Sequence, residues 1–176
     1  MKHIVNLIAG IFIVIMYFST LPAQSRREPL NDKEIDELRD AAQEPTARIK
    51  LYIEFARDRL VALEQMRSDL KIPDRAQQTH DKLQNFLDVY DELSDNIDTF
   101  VGRNADLRKP LKLVIEADTE FQAKLRAIKS ASDSTPAEAQ KYQFLLDNAI
   151  DSVDGGAKDH RQLLAEQEET WKHRKK

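Results

Sequence analysis

An all-α fold, an antiparallel up-down-up-down four-helix bundle with long helices preceded by a signal peptide, is predicted by three features of the 176-residue chain. Glycine is scarce: there are four, and Gly10 lies in an apolar N-terminal run. Sheets, barrels and doubly wound folds need many tight turns, and tight turns need glycine. Charged residues make up 33% of the chain beside abundant Ala, Leu and Gln, which is the composition of long helices. Apolar residues then recur in steps of three and four through four separate segments. A single long coiled coil is the weaker alternative, because three breaks interrupt the pattern.

The first 25 residues read as an address. Met1-Lys2-His3 forms a short basic region, Ile4 to Phe18 is apolar apart from Asn6, and Leu21-Pro22-Ala23-Gln24-Ser25 follows. Ala23 and Ser25 are small residues at the −3 and −1 positions of a cut before Arg26, as in a secretory signal peptide. An uncleaved inner-membrane anchor over residues 4–21 is the alternative, since that stretch is just long enough to span a bilayer. Cleavage leaves one domain, residues 26–176, of net charge −5, exported to the periplasm or beyond.

Helix ends are legible along that domain. Asn31 stands three residues before Glu34 and opens a helix over 31–43. Glu44-Pro45 starts a second over 45–71, because a residue before proline resists helical geometry. Ile72-Pro73-Asp74 separates it from a third over 73–101, and Gly102 suits the position just past that helix. A fourth spans 107–130. Thr135-Pro136-Ala137-Glu138 offers a cap, a first-turn proline and a capping-box Glu for a fifth over 136–172. Apolar stripes run through Ile49, Ile53, Ala56, Leu60 and Leu63, then Leu83, Leu87, Tyr90 and Ile97. Leu70 is expected to close the first of these stripes, and the pattern continues through Leu111, Val114, Phe121 and Leu125, then Tyr142, Leu146, Ala149 and Val153. Short loops between such helices predict antiparallel neighbours.

Reflecting each loop about its midpoint estimates which positions lie level. Ser94 then faces Asp118, His80 lies beside Glu64 and Met66, and Pro45 is level with Gly155-Gly156. The body is therefore expected over 45–154, with a possible hinge at Pro45, Gly155 and Gly156. Residues 26–44 and 155–176 form a charged helical extension at one end, with 11 charged residues of 19 and 10 of 22. The two segments are expected to pack on each other or to fold back onto the body. Whether the last helix runs through the paired glycines is left open by the sequence.

Four polar residues fall in phase with apolar faces: His80, Ser94, Asp118 and His160. A Ser94 hydroxyl donating to Asp118 satisfies both inward groups and disfavours slipped registers. On that reading, replacing Asp118 with Leu leaves the fold intact or firmer. A His80–Glu64 contact is expected, and Met66 with His80 is the only axial pair the chain offers a haem. Asp88, Asp91, Glu92, Asp95 and Asp98 form a solvated acidic flank that could collect cations only loosely.

No catalytic motif is present. Without Cys there are no disulfides, thiolate zinc sites, iron–sulfur clusters or thiol catalysis. Glu-x-x-His, His-Glu-x-x-His, phosphate-cradling glycine loops and Gly-x-Ser-x-Gly are all missing. No catalytic, cofactor or metal residue is assigned. A mildly acidic chain is a poor nucleic-acid binder. Trp171, Lys172, Arg174, Lys175 and Lys176 are basic enough for weak membrane-surface contact.

Lys50-Leu51-Tyr52-Ile53-Glu54-Phe55-Ala56-Arg57 and Asp106-Leu107-Arg108-Lys109-Pro110-Leu111 resemble stretches of uncharacterised exported helical proteins of soil bacteria. The resemblance implies an exported helical fold and no assigned activity. In size and address the chain is also similar to periplasmic helical stress and metal-sensing proteins, whose Leu-Thr-x-x-Gln repeats and His/Met-rich sites it lacks. The expected function is a structural or protein-interaction module of the cell envelope, not an enzyme, contacting another envelope protein through its charged end. The alternative is a bundle that binds a small ligand or metal at Asp118 or His80.

Overall fold

A computed structural model describes residues 28–132 and 135–174, without the side chain of Arg174. The expected leader over 1–25, the alternative anchor over 4–21, and Lys175 and Lys176 lie outside the described residues. Six helices follow in order: α1 (Asp32–Asp40), α2 (Pro45–Ser68), α3 (Arg75–Gly102), α4 (Arg108–Ser132), α5 (Pro136–Ala139) and α6 (Gln143–Arg174). No strand occurs among the described residues, and none of these helices is long and apolar enough to cross a membrane.

Local chemistry sets most boundaries. Glu34 N–H donates to Asn31 Oδ1 at 3.0 Å and Asn31 N–H to Glu34 Oε2 at 2.9 Å, the reciprocal box that opens α1. Glu44 is extended before Pro45, and its carboxylate accepts the Ala47 N–H at 2.8 Å. Asp74 stands in the left-handed region, φ 48°, immediately before α3. At the other end, α3 runs through Gly102 instead of stopping before it. The left-handed turn falls on Asn104, φ 55°, a residue whose short polar side chain tolerates it.

The four long helices share one core. α2 packs on α3, α4 packs on α6, and further contacts join α2 to α4 and α3 to α6. Residues on α2 and α3 meet in opposite order, Arg48 with Asn96 and Arg67 with Thr79. Those on α2 and α4 meet in the same order, Arg57 with Glu120 and Glu64 with Lys124. Ile49, Leu60, Leu63, Leu83, Phe86, Leu93, Leu111 and Phe121 are fully enclosed between them. α1 lies outside this set and packs on α2.

The stretch before α6 departs most from expectation. Instead of one helix from 136, α5 lasts four residues and a turn precedes Gln143. Thr135 makes no side-chain cap bond, and the Glu138 carboxylate, expected to complete a capping box, instead pairs with Arg75, which donates to it at 2.9 and 2.5 Å. Charge-assisted bidentate pairing outweighs a neutral backbone cap. Since these residues do not rise along the body, α6 starts late and every position on it slides past α4. Asp118 consequently meets His160, while Asp147, its expected neighbour, meets Lys129. The slip is about 13 residues, roughly 20 Å of helix.

That slip lays the C-terminal half of the expected extension along the body. α6 is continuous through Gly155 and Gly156. Ala157 and His160 are buried, and Leu163 and Leu164 pack against the core. Farther along, Leu107 N–H donates to Gln167 Oε1 at 3.0 Å, and Gln167 Nε2 donates to Ala105 O at 3.2 Å. The C-terminal segment therefore packs against the start of α4, the fold-back onto the body that was one of the two expectations. Pro45 marks a true break, and α1 folds back along α2 there, Leu38 O meeting Arg48 and Glu34 meeting Arg59.

Candidate functional site

Three long helices bring together one buried polar cluster. Tyr90 comes from α3, Asp118 from α4 and His160 from α6. The Tyr90 hydroxyl donates to Asp118 Oδ1 at 2.8 Å, and His160 Nδ1 bonds Asp118 Oδ2 at 2.8 Å. Asp118 is 0% exposed, Tyr90 2% and His160 5%. A carboxylate offers only acceptors, so the His160 proton in this bond sits on Nδ1. Both carboxylate oxygens are thus engaged within the chain.

The surroundings explain how the sequence builds it. Tyr90 stacks on Phe86 at 5.9 Å between ring centroids and meets Phe121 edge-on at 6.3 Å, which fixes the phenol's direction. Gly156, one turn before His160 on α6, lies against the phenol. A Cβ there would collide with the Tyr90 hydroxyl and stand 3.2 Å from its Cζ. Glycine at 156 is therefore a close-approach residue: it lets the hydroxyl pass α6 and reach Asp118. Burial, then the negative charge of Asp118 and the hydrogen bond to it, push the Tyr90 phenol far above its ordinary value. The phenol stays neutral and acts as a donor.

Chemically, Asp118 holds the His160 imidazole through Nδ1 and the Tyr90 phenol through its hydroxyl. Among the described residues no buried side-chain nitrogen or oxygen is unpartnered. No nucleophile joins the three. The Ser94 hydroxyl donates to the Tyr90 backbone carbonyl at 3.2 Å, one turn back on its own helix. The cluster is thus a polar lock across three helices.

The sequence-based candidates are redistributed accordingly. Asp118 is inward as expected, but its partners are Tyr90 and His160, not Ser94. The level estimate was off by one helical turn, enough to exchange Ser94 for Tyr90. His80 is half-exposed and reaches Asp81 at 3.5 Å. Glu64 accepts from Lys124 at 2.6 Å, and Met66 is buried. The three do not converge, because the α3 stripe runs through Thr79, Leu83, Phe86 and Tyr90. Thr79 is the inward polar residue, its hydroxyl bonding Arg75 O at 2.8 Å.

The acidic flank gathers no site either. Asp91 is pushed up by burial and by the charges of Asp88 and Asp95, and among the described residues no three His, Asp or Glu converge as a metal would require. Trp171 is covered by the Arg108 guanidinium, 4.2 Å from its ring centre, while Lys172 and His173 pair with Glu169.

Two features had no forecast. Arg67 donates to the Tyr142 hydroxyl at 2.9 Å, which also meets Ser132 Oγ at 2.9 Å, tying α2, α4 and the start of α6. On the flank, Arg59 grips Glu34 through two bonds of 2.7 Å. The signal for the second was present, an inward Glu on a short amphipathic helix, yet its partner lies 25 residues away. No known protein family, curated protein or solved structure matches this chain.

Proposed function

We propose that this chain is an exported antiparallel up-down-up-down four-helix bundle that serves as a protein-interaction module of the cell envelope. The order in which paired residues meet along α2, α3, α4 and α6 supports that topology, and the N-terminal pattern ending at Ser25 supports export. The observation that carries the interaction role is a pair of large apolar side chains left in solvent. Leu70, expected on the buried face of the second helix, falls past its end at Ser68 and is 80% exposed, and Phe144 is 86% exposed. Both stand at the end formed by the α2–α3 loop and the start of α6, which the Arg67–Tyr142 and Arg75–Glu138 bonds hold together. A groove of about 200 Å³ bounded by Pro136, Ala139, Tyr142 and Leu146 opens at the same end. Exposed apolar groups beside a groove are the usual signature of a contact surface.

The docking end thus moves from the charged terminal segments to the opposite end of the body. The alternative, a bundle that binds a small ligand or metal at Asp118 or His80, has less support, since both Asp118 oxygens are bonded from within. A photo-crosslinking residue at position 144 or 70, in cells of the native host, should trap a discrete adduct in the envelope fraction. The same residue at the exposed Lys158 should not. Equal adducts from all three positions, or none from 144 and 70, would refute the assignment. Mass measurement of the purified chain checks the cut before Arg26.

A further inference from the structure

α1 occupies a groove that a second helix of the same kind would fit. Arg48, Tyr52, Phe55 and Arg59 recur along α2 in steps of four, three and four, hence on one stripe. The arginines at its two ends both reach α1. Arg48 Nη1 donates to Leu38 O at 2.6 Å, and Arg59 donates to both oxygens of Glu34 and to Pro29 O at 3.2 Å. Tyr52 and Phe55 lie between, buried and edge-to-face at 6.4 Å. α1 answers with Glu34 and Leu38 one turn apart, both buried, and Leu30 packed beside them. Its other face, with Lys33, Asp36, Arg39 and Asp40, is in solvent.

Nine residues do not hold a helix in water by themselves, so α1 depends on this seat. The seat reads only a carboxylate, a leucine and a carbonyl, and every copy of the chain carries all three. We infer that α1 is an exchangeable strap, and that the stripe Arg48–Tyr52–Phe55–Arg59 takes the α1 of a second copy to give a reciprocally swapped dimer. The short link Ala41–Glu44 keeps each copy's own α1 at high effective concentration, so self-seating dominates in dilute solution.

Charge reversal removes that advantage. A Glu34→Arg chain cannot latch onto its own Arg59, nor an Arg59→Glu chain onto its own Glu34. In a swapped pair of the two variants, both latches are complementary. Native mass spectrometry should find each variant alone as a single chain, and a one-to-one complex at least tenfold more abundant in the mixture. Both reversals in one chain should restore the internal latch and return a single chain. A mixture that stays separate while that double variant relatches overturns the exchange. Should the double variant fail to relatch, wild-type chains labelled heavy and light decide the matter. Mixed at high concentration near pH 3 and returned to neutrality, they should give mixed-mass dimers, and unmixed masses alone would overturn it.

Discussion

Among the described residues two carboxylates are buried, and they are held by opposite means. Asp118 sits at the centre of the body among aromatic rings, and its partners are a neutral phenol and an imidazole on two other helices. Glu34 sits on the flank, and a single guanidinium from the neighbouring helix grips it. In the first case removing the carboxylate strands two donors inside the core. In the second it frees one short helix and leaves the rest packed. A buried acid therefore sets the mutual register of α3, α4 and α6 in one place and seats a peripheral strap in the other.

Replacing Asp118 alone by Leu gives the sharpest test of that contrast, and it reverses the expectation drawn from sequence. The Tyr90 hydroxyl and His160 Nδ1 lose their acceptor, so unfolding by denaturant should show a loss of about 3–5 kcal/mol. The triple change Asp118→Leu, Tyr90→Phe, His160→Leu removes the donors as well and should come within about 1 kcal/mol of wild type. If the single change costs nothing, the cluster is not a lock.

Gly156→Ala comes next. The added methyl must displace the Tyr90 ring or part α3 from α6, a loss of about 1–3 kcal/mol by the same measurement. Tyr90→Phe should relieve much of it, because the atom struck first is the hydroxyl oxygen.

Glu34→Gln should cost about 1.5–3 kcal/mol, confined to α1. Amide exchange should accelerate across Asp32–Asp40 while α4 and α6 stay protected. Acid should act the same way. Burial by itself raises the Glu34 carboxyl, but bonds from Arg59 and Asn31 and the charges of Arg59 and Lys33 bring it below its ordinary value of 4.5. A depressed carboxyl stabilises the folded form fully above that ordinary value and ceases to as pH falls through the lowered one. Exchange in α1 should therefore rise as pH falls below 4.5 and disappear as a pH effect in Glu34→Gln.

The smallest effect has the opposite sign. Gly155 has nothing within 4 Å of where a Cβ would stand, so Gly155→Ala should stabilise α6 by about 0.5–1 kcal/mol. Adjacent glycines would then differ in sign, one required by Tyr90 and one not.

Much of the fold was legible because its signals are local. Asn31 with Glu34, Glu44-Pro45 and the three- and four-residue apolar steps act within a turn or two, and the observed ends of α1, α2 and α4 follow them closely. The level estimate held between α2 and α3, where a short loop permits little slack, and Arg48 meets Asn96 as reflection demands. It failed between α4 and α6, where the chain spends residues 136–142 on a short helix and a turn and Glu138 pairs with Arg75, 63 residues away. Asp118 and His160 stood out as polar residues on apolar faces. Tyr90 did not, since its ring satisfies the apolar pattern while its hydroxyl does the bonding.

By itself the sequence determined the helical class, the number of long helices, most of their limits and the faces they bury. Periodicity and caps are short-range physics, and they read the same in any tertiary setting. Tertiary structure decided the sliding position of α6, and with it the passage that Gly156 leaves for a phenol. It also turned the charged ends inward, one onto the start of α4 and the other onto α2. Those outcomes depend on which side chains meet across helices, and a bidentate ion pair or a missing Cβ acts only once the two surfaces are in contact.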